Sequence, residues 1–62
     1  MFKQLTEAWS HFRSGLITEP ELAAVLDKLQ VHGGFSKSGN FAGYDYVHQV
    51  WIRANQRGVF AD

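Results

Sequence analysis

The sequence contains no cysteine, a single proline and no long hydrophobic run, and its charges cancel. The absence of cysteine excludes disulfide bonds, thiolate metal sites and thiol catalysis. The longest apolar run, Leu22–Leu26, is far shorter than the about 20 residues of a membrane-spanning helix, and the first residues lack an apolar stretch of signal-peptide length. Proteins that bind nucleic acid through phosphates usually carry a basic excess, which is missing here. These absences predict a soluble, cytoplasmic protein.

The chain of 62 residues has room for one small domain, spanning residues 1–62. Hydrophobic residues make up 45% of it and aromatic residues 15%, which is too apolar for a disordered chain. Burial of about 3,600 Å² of apolar surface contributes about 90 kcal/mol, against about 93 kcal/mol for ordering the chain. Because the two terms nearly cancel, we expect unusually good packing or a partner that shares the core.

Hydrophobic periodicity predicts an all-α fold, a compact three-helix domain. Apolar residues at helical spacing, including Trp9, predict the first helix over 2–14. The second, over 19–32, follows a capping box in which Thr18 and Glu21 cap each other's backbone. Its buried stripe includes Leu22 and Leu26. Gly33 and Gly34 are interpreted as its end, and residues 33–43 as a glycine-rich loop.

The third helix is predicted over 45–57, but its residues fit two patterns. Val47, Val50, Trp51 and Ala54 form a helical stripe, which places Trp51 in the core. Alternate residues from Tyr44 to Ile52 are also typical of a strand. We favour the helix, because its polar end carries cations where a helix carbonyl end attracts them. The alternative is an α+β fold with a small hairpin or strand in 35–52.

One junction resembles a known family. The stretch from Gly15 to Leu22, Gly-Leu-Ile-Thr-Glu-Pro-Glu-Leu, is similar to the Gly-Leu-Ile-Thr-x-x-Glu turn of the SHOCT domains, which are short bacterial helical hairpins. The resemblance covers about residues 6–30, and it implies two short helices meeting across the turn and a role in oligomerisation. Unlike the family's usual C-terminal unit, this hairpin is followed by some thirty further residues.

Motifs for small-molecule chemistry are sparse. The stretch from Gly33 to Ser38 lacks the second glycine of a phosphate-binding loop, although Lys37 and nearby amides could hold an anion. His11, His32 and His48 lie in three segments without the short spacing of a preformed zinc site. We therefore predict no cofactor, no metal site and no catalytic residues, hence a protein that is not an enzyme.

The predicted binding residues lie on the flanks of the third helix. Tyr46, Arg53 and Arg57 share one flank and Ile52 lies on the other, with Lys37 in the preceding loop. Tyrosine and arginine are enriched among residues that dominate binding energy. The alternative is a small DNA-binding regulator that uses Arg53 and Arg57, although Asn55 does not match the phase of a homeodomain recognition helix.

The aromatic content points to a binding function. Nine aromatic residues are more than three short helices can easily enclose, and an exposed aromatic patch marks a contact site. We expect a non-catalytic protein–protein interaction module that docks on a larger protein or forms a homodimer. In a bacterium or a phage, a module of this size would act as an adaptor or an inhibitor.

Overall fold

The computed structural model describes residues 2–62, which form two helices followed by four strands. The elements in chain order are α1 (Lys3–Arg13), α2 (Glu19–Lys28), β1 (Val31–Phe35), β2 (Phe41–Asp45), β3 (Val50–Asn55) and β4 (Gly58–Ala61). The strands form one antiparallel sheet in the order β1-β2-β3-β4, and both helices pack on the same face of it. The protein is therefore a two-layer α+β domain.

The two helices follow local sequence signals. Leu5, Ala8 and Trp9 of α1 are buried, as the stripe predicts. The Thr18 side chain accepts the Glu21 amide, and the Glu21 carboxylate accepts the Thr18 amide at 3.0 Å, so the predicted capping box is confirmed. The Thr18 hydroxyl also donates to this carboxylate, at 2.9 Å, and the hydrogen bonds from the Thr18 amide and hydroxyl lower the pKa of Glu21.

The second helix ends at Lys28, four residues before the predicted end at 32. Gln30 adopts a left-handed conformation with φ 59°, which turns the chain from α2 into β1. Its carbonyl accepts the Tyr46 amide from the loop after β2 at 3.0 Å. The residues from Gln30 to His32 were predicted to be helical, but they form the turn into β1 and the start of β1 itself.

The prediction of an all-α three-helix domain is wrong, and so is the helical-bundle description. Residues 45–57 form no helix but the end of β2, a loop, β3 and the turn into β4. Burial in β3 alternates residue by residue, with Ile52 and Ala54 buried and Trp51 and Arg53 exposed. The polar end is a hairpin turn in which the Asn55 side chain accepts the Arg57 amide at 2.9 Å. The alternative with strands in 35–52 gives the right class but too short a sheet.

The predicted glycine-rich loop over 33–43 is also wrong, because most of it is strand. Gly33 pairs directly with Gly43 between β1 and β2. A Cβ on Gly33 would lie 2.0 Å from the Ala42 carbonyl oxygen, and one on Gly43 would lie 2.8 Å from Cζ of the buried Phe41. Both glycines are therefore needed for close approach within the sheet rather than to end a helix.

One hydrophobic core joins the helices to the sheet. Leu22 and Ile52 are the largest fully buried side chains, and Leu26 packs in the same cluster. The indole nitrogen of Trp9 donates to the Asn55 carbonyl at 2.9 Å and ties α1 to the end of β3. Because both helices cover one face, the opposite face of the sheet is left open.

Candidate functional site

The open face consists of the outward-pointing residues of all four strands. Side chains alternate between the two faces of a strand, so the neighbours of the buried Val31, Phe41, Ile52 and Ala54 point away from the helices. The strand register arranges them in two rows across the sheet. Row 1 contains Gly34, Ala42, Arg53 and Phe60, and row 2 contains His32, Tyr44, Trp51 and Asp62, whose amide donates to the Trp51 carbonyl.

Aromatic rings dominate one end of this face. Tyr44 stacks edge-to-face with Trp51, at 5.1 Å between ring centroids, and with Tyr46 at 4.9 Å. His32 contacts Tyr46 in the same manner at 5.4 Å. Trp51 is 61% exposed, Tyr46 59% and Phe60 44%. The contacting rings form a continuous aromatic surface of His32, Tyr46, Tyr44 and Trp51, which no other part of the described chain covers, and Phe60 is exposed in row 1 beside it.

The arginine of the open face is already paired. Arg53 donates from Nε and from an Nη to the two carboxylate oxygens of Asp62, at 3.0 and 2.8 Å. These hydrogen bonds and the opposite charge raise the pKa of Arg53 further above its usual value. Two parallel hydrogen bonds fix the guanidinium plane against the Asp62 carboxylate, so the pair contributes little net charge to the face.

A buried carboxylate shapes the loop that carries Tyr46. One oxygen of Asp45 accepts the Val47 and His48 amides at 2.9 Å each, and the other lies 2.8 Å from Nδ1 of His48. Burial alone raises the pKa of Asp45, but hydrogen bonds and the charge of His48 outweigh it and lower the pKa overall. This turn holds Tyr46 against the end of row 2.

A cleft of about 280 Å³ lies next to this turn, on the helix side of the sheet. Its walls are mostly apolar and include Phe2, Leu29 and Val47, with Asp45 and His48 at one side. The ring of Phe2 meets the His48 ring edge-on at 5.3 Å. Both Asp45 oxygens already form hydrogen bonds within the turn. The carboxylate at the side of the cleft is therefore not free to bind a ligand there.

The predicted binding residues separate in the structure. Tyr46 and Arg53 lie on or beside the open face, whereas Lys37 and Arg57 lie in the loops at the end of the sheet opposite to Tyr46. Ile52 is 1% exposed and belongs to the core, so its prediction as a binding residue is wrong. With no helix over 45–57, the proposed DNA-reading flank of a third helix does not exist.

The individual residues predicted to have structural roles have them, with one exception. Thr18 and Glu21 form the cap, and Trp9, Leu22 and Leu26 are buried. Trp51, predicted to be a core residue, lies instead at the surface. His32, Tyr44 and Phe60 also belong to the open face but are not among the residues predicted from the sequence to bind a partner. The alternation of residues from Tyr44 to Ile52 is the signal that could have identified Tyr44. Interpreted as a strand, it places Tyr44 in the sheet.

The three histidines do not form a metal centre within residues 2–62. Across those residues no group of three or more histidine, aspartate or glutamate side chains is placed to hold a metal ion. His32 instead contacts Tyr46, and His48 contacts Asp45 and Phe2. The roles of these two histidines in the structure are therefore packing and hydrogen bonding.

Comparison of the chain with protein-family models, with curated proteins and with solved structures gives no match. The resemblance of residues 6–30 to the SHOCT hairpin therefore stays a prediction. Neither helix of the described chain is long and apolar enough to cross a membrane. What the fold and the site define is a class, a small α+β domain with an open aromatic sheet face.

Proposed function

We propose that this protein is a non-catalytic protein–protein interaction module, acting as an adaptor or an inhibitor, and that the open face is its binding surface. The observation that carries the proposal is the exposure of Trp51, Tyr46 and Phe60 on a sheet face that neither helix covers. Exposed aromatic residues in a contiguous patch are typical of interaction sites. The occupant we propose is a folded protein surface that is itself largely apolar. A cytoplasmic location stays part of this proposal.

The charge of the open face favours a protein over a nucleic acid. Its arginine, Arg53, is held by Asp62 in two hydrogen bonds, so a phosphate would have to displace a carboxylate. Lys37 and Arg57 lie in the loops at one end, away from the densest part of the aromatic surface. Binding of single strands usually combines stacking rings with a positively charged groove, and this face supplies only the rings.

The geometry of the rings supports the same choice. Tyr44 packs edge-to-face against both Trp51 and Tyr46, with interplanar angles of 75° and 70°. Rings fixed in this way form an uneven apolar surface. They do not present parallel ring faces on which successive bases of a nucleic acid could stack. Such a surface suits the close packing found at the centre of protein interfaces.

The proposal is tested by site-specific cross-linking. A photo-cross-linking phenylalanine analogue replaces Trp51 in one variant and Leu16 in a matched control, since Leu16 is 71% exposed but lies between the helices. We expect discrete protein adducts in native cells from position 51 and none from position 16. The adduct is identified by mass, and the purified partner is then titrated with the wild type, Trp51→Ala and Leu16→Ser.

The titration decides between the outcomes. We expect Trp51→Ala to weaken binding about thirtyfold or more, the effect of losing a buried aromatic anchor, and Leu16→Ser to have no effect. Equal cross-linking from both positions would contradict the proposal. So would saturable binding of a single-stranded oligonucleotide that quenches Trp51 and weakens steeply with salt, because such a salt dependence identifies phosphate contacts.

A further inference from the structure

We propose that the open face binds the open face of a second copy of this chain, around a two-fold axis parallel to the strands. This inference rests on the proposed function and names the partner. Most homo-oligomers are two-fold dimers in which the same patch faces itself. Such a patch must be complementary to its own rotated image, and the two rows of the open face meet that condition.

The axis brings each strand opposite a defined strand of the second copy. Rotation about a line between β2 and β3 places β1 over β4 and β2 over β3, and it keeps each row opposite its own image. In row 1 this sets Gly34 against Phe60 and Ala42 against Arg53. Every small residue of the row therefore meets a large one, and the protruding Phe60 ring enters the space that Gly34 leaves.

Row 2 is complementary in hydrogen bonding and ring type. The same rotation sets His32 against Asp62 and Tyr44 against Trp51. Asp62 is 47% exposed in its side chain even while it accepts from Arg53, and a carboxylate has further lone pairs to accept from a histidine. A two-fold axis perpendicular to the strands would instead set Phe60 against Asp62, a ring on a carboxylate.

The area available is close to the minimum for a specific dimer. Trp51, Tyr46 and Phe60 are between 44% and 61% exposed, so with 150–250 Å² for each ring they leave roughly 300 Å² on each copy. Two copies provide roughly 600 Å² from these rings, about half of the 1,200 Å² at which specific interfaces begin. His32, Tyr44, Arg53 and Ala42 supply the rest, which predicts a dimer with a dissociation constant in the micromolar range.

Gly34 provides the test, because a side chain can be added there without disturbing the monomer. A Cβ at Gly34 meets no atom within 4 Å, and phenylalanine is favoured in strands. In the proposed dimer, however, Gly34→Phe would place a ring where the second copy's Phe60 lies. Combining it with Phe60→Ala removes that clash, since the ring added at position 34 then faces an alanine methyl group.

The measurement is sedimentation velocity of the purified protein from 5 to 500 µM, with circular dichroism to verify folding. We expect the wild type to shift from 7.0 kDa to twice that mass, Gly34→Phe to stay monomeric, and the double variant to regain the dimer. Leu16→Ser, the control for an exposed apolar side chain elsewhere, is expected to dimerise as the wild type does.

Two results would overturn the inference. One is a wild type that stays monomeric at 500 µM, and the other is a folded Gly34→Phe variant that dimerises as well as the wild type. A monomer whose position 51 still cross-links to a different protein refutes the second copy but leaves the proposed function standing. A monomer without any adduct at position 51 refutes both.

Discussion

Gly33 and Gly34 are neighbours in β1, yet their replacement by alanine is expected to have opposite effects on stability. A Cβ on Gly33 would lie 2.0 Å from the Ala42 carbonyl oxygen and 2.3 Å from Cα of Gly43. Both atoms belong to the backbone of β2, so they cannot move aside as a side chain would. Relief requires β1 and β2 to separate by about 1 Å or more, to reach the 3.0 Å below which Cβ contacts are essentially never seen, and this breaks their pairing at that point.

The magnitude follows from the size of the domain. At 0.05–0.15 kcal/mol per residue, a chain of 62 residues has a free energy of unfolding of about 3–9 kcal/mol. Overpacking against side chains costs about 1–3 kcal/mol, and a rigid backbone raises the cost, so we expect Gly33→Ala to lose at least about 3 kcal/mol. Gly34→Ala meets no atom within 4 Å and is expected to gain about 0.5–1 kcal/mol by restricting the unfolded chain.

Urea unfolding followed by far-UV circular dichroism measures both changes. The two variants add the same methyl group one residue apart, so each serves as the control for the other. A Gly33→Ala variant within about 0.5 kcal/mol of the wild type, the range of an ordinary surface substitution, would refute the register in which Gly33 pairs with Gly43, and with it the two rows of the open face.

Three further changes test the turn, the cap and the core in the same unfolding assay. Asp45→Ala removes the buried acceptor of the turn over residues 45–48 and is expected to cost about 2–4 kcal/mol. Because folding lowers the pKa of Asp45, its stabilisation is complete above the usual pKa of about 3.9 and is lost as the pH falls through the lower folded value. Asp45→Asn has no carboxyl group to titrate at this position. If its free energy of unfolding fell with acid as much as that of the wild type, this assignment would be contradicted. Thr18→Ala is expected to cost about 1 kcal/mol through the lost cap, whereas Thr6→Ala, within α1, is expected to change little. Leu26→Ala is expected to cost about 2–5 kcal/mol, against less than about 0.5 kcal/mol for Leu16→Ala at the surface; equal costs would contradict the assigned core.

The helices could be predicted because their signals are local. A capping box needs only Thr18 and Glu21, three residues apart, and an amphipathic stripe needs only a dozen residues. Both signals were interpreted correctly, and the error in α2 is confined to its last four residues. There the deciding interaction is the hydrogen bond between Gln30 and Tyr46, which joins segments far apart in the sequence.

The sheet was missed because its deciding contacts are not local. The residues of β3 fit a helical stripe and a strand alternation equally well, and only pairing with β2 and β4 selects the strand. Gly33 illustrates the same difficulty. A glycine after a helical pattern indicates an end to the helix, but here it is required by the approach of Gly43 across the sheet.

A helical periodicity was assigned to residues that form a strand, and this explains why Trp51 and Ile52 were predicted to have the wrong roles. At 3.6 residues per turn Trp51 faces the core and Ile52 lies on a flank, whereas at a period of two Ile52 points inward and Trp51 outward. The structure shows the second arrangement, with Ile52 1% and Trp51 61% exposed. Tyr46 and Arg53 stayed at the surface because both interpretations place them there.

The composition of the open face is not explained by the stability of the sheet alone. An antiparallel sheet with one face in water usually alternates apolar residues inward with polar residues outward, but here Tyr44, Trp51 and Phe60 point outward. Cross-strand aromatic pairs such as Tyr44 with Trp51 contribute about 0.2–1 kcal/mol, and pairs of threonines or opposite charges would contribute as much. The exposed rings therefore offer the isolated fold no advantage over polar residues, whereas an interface that buries them would use their full apolar area.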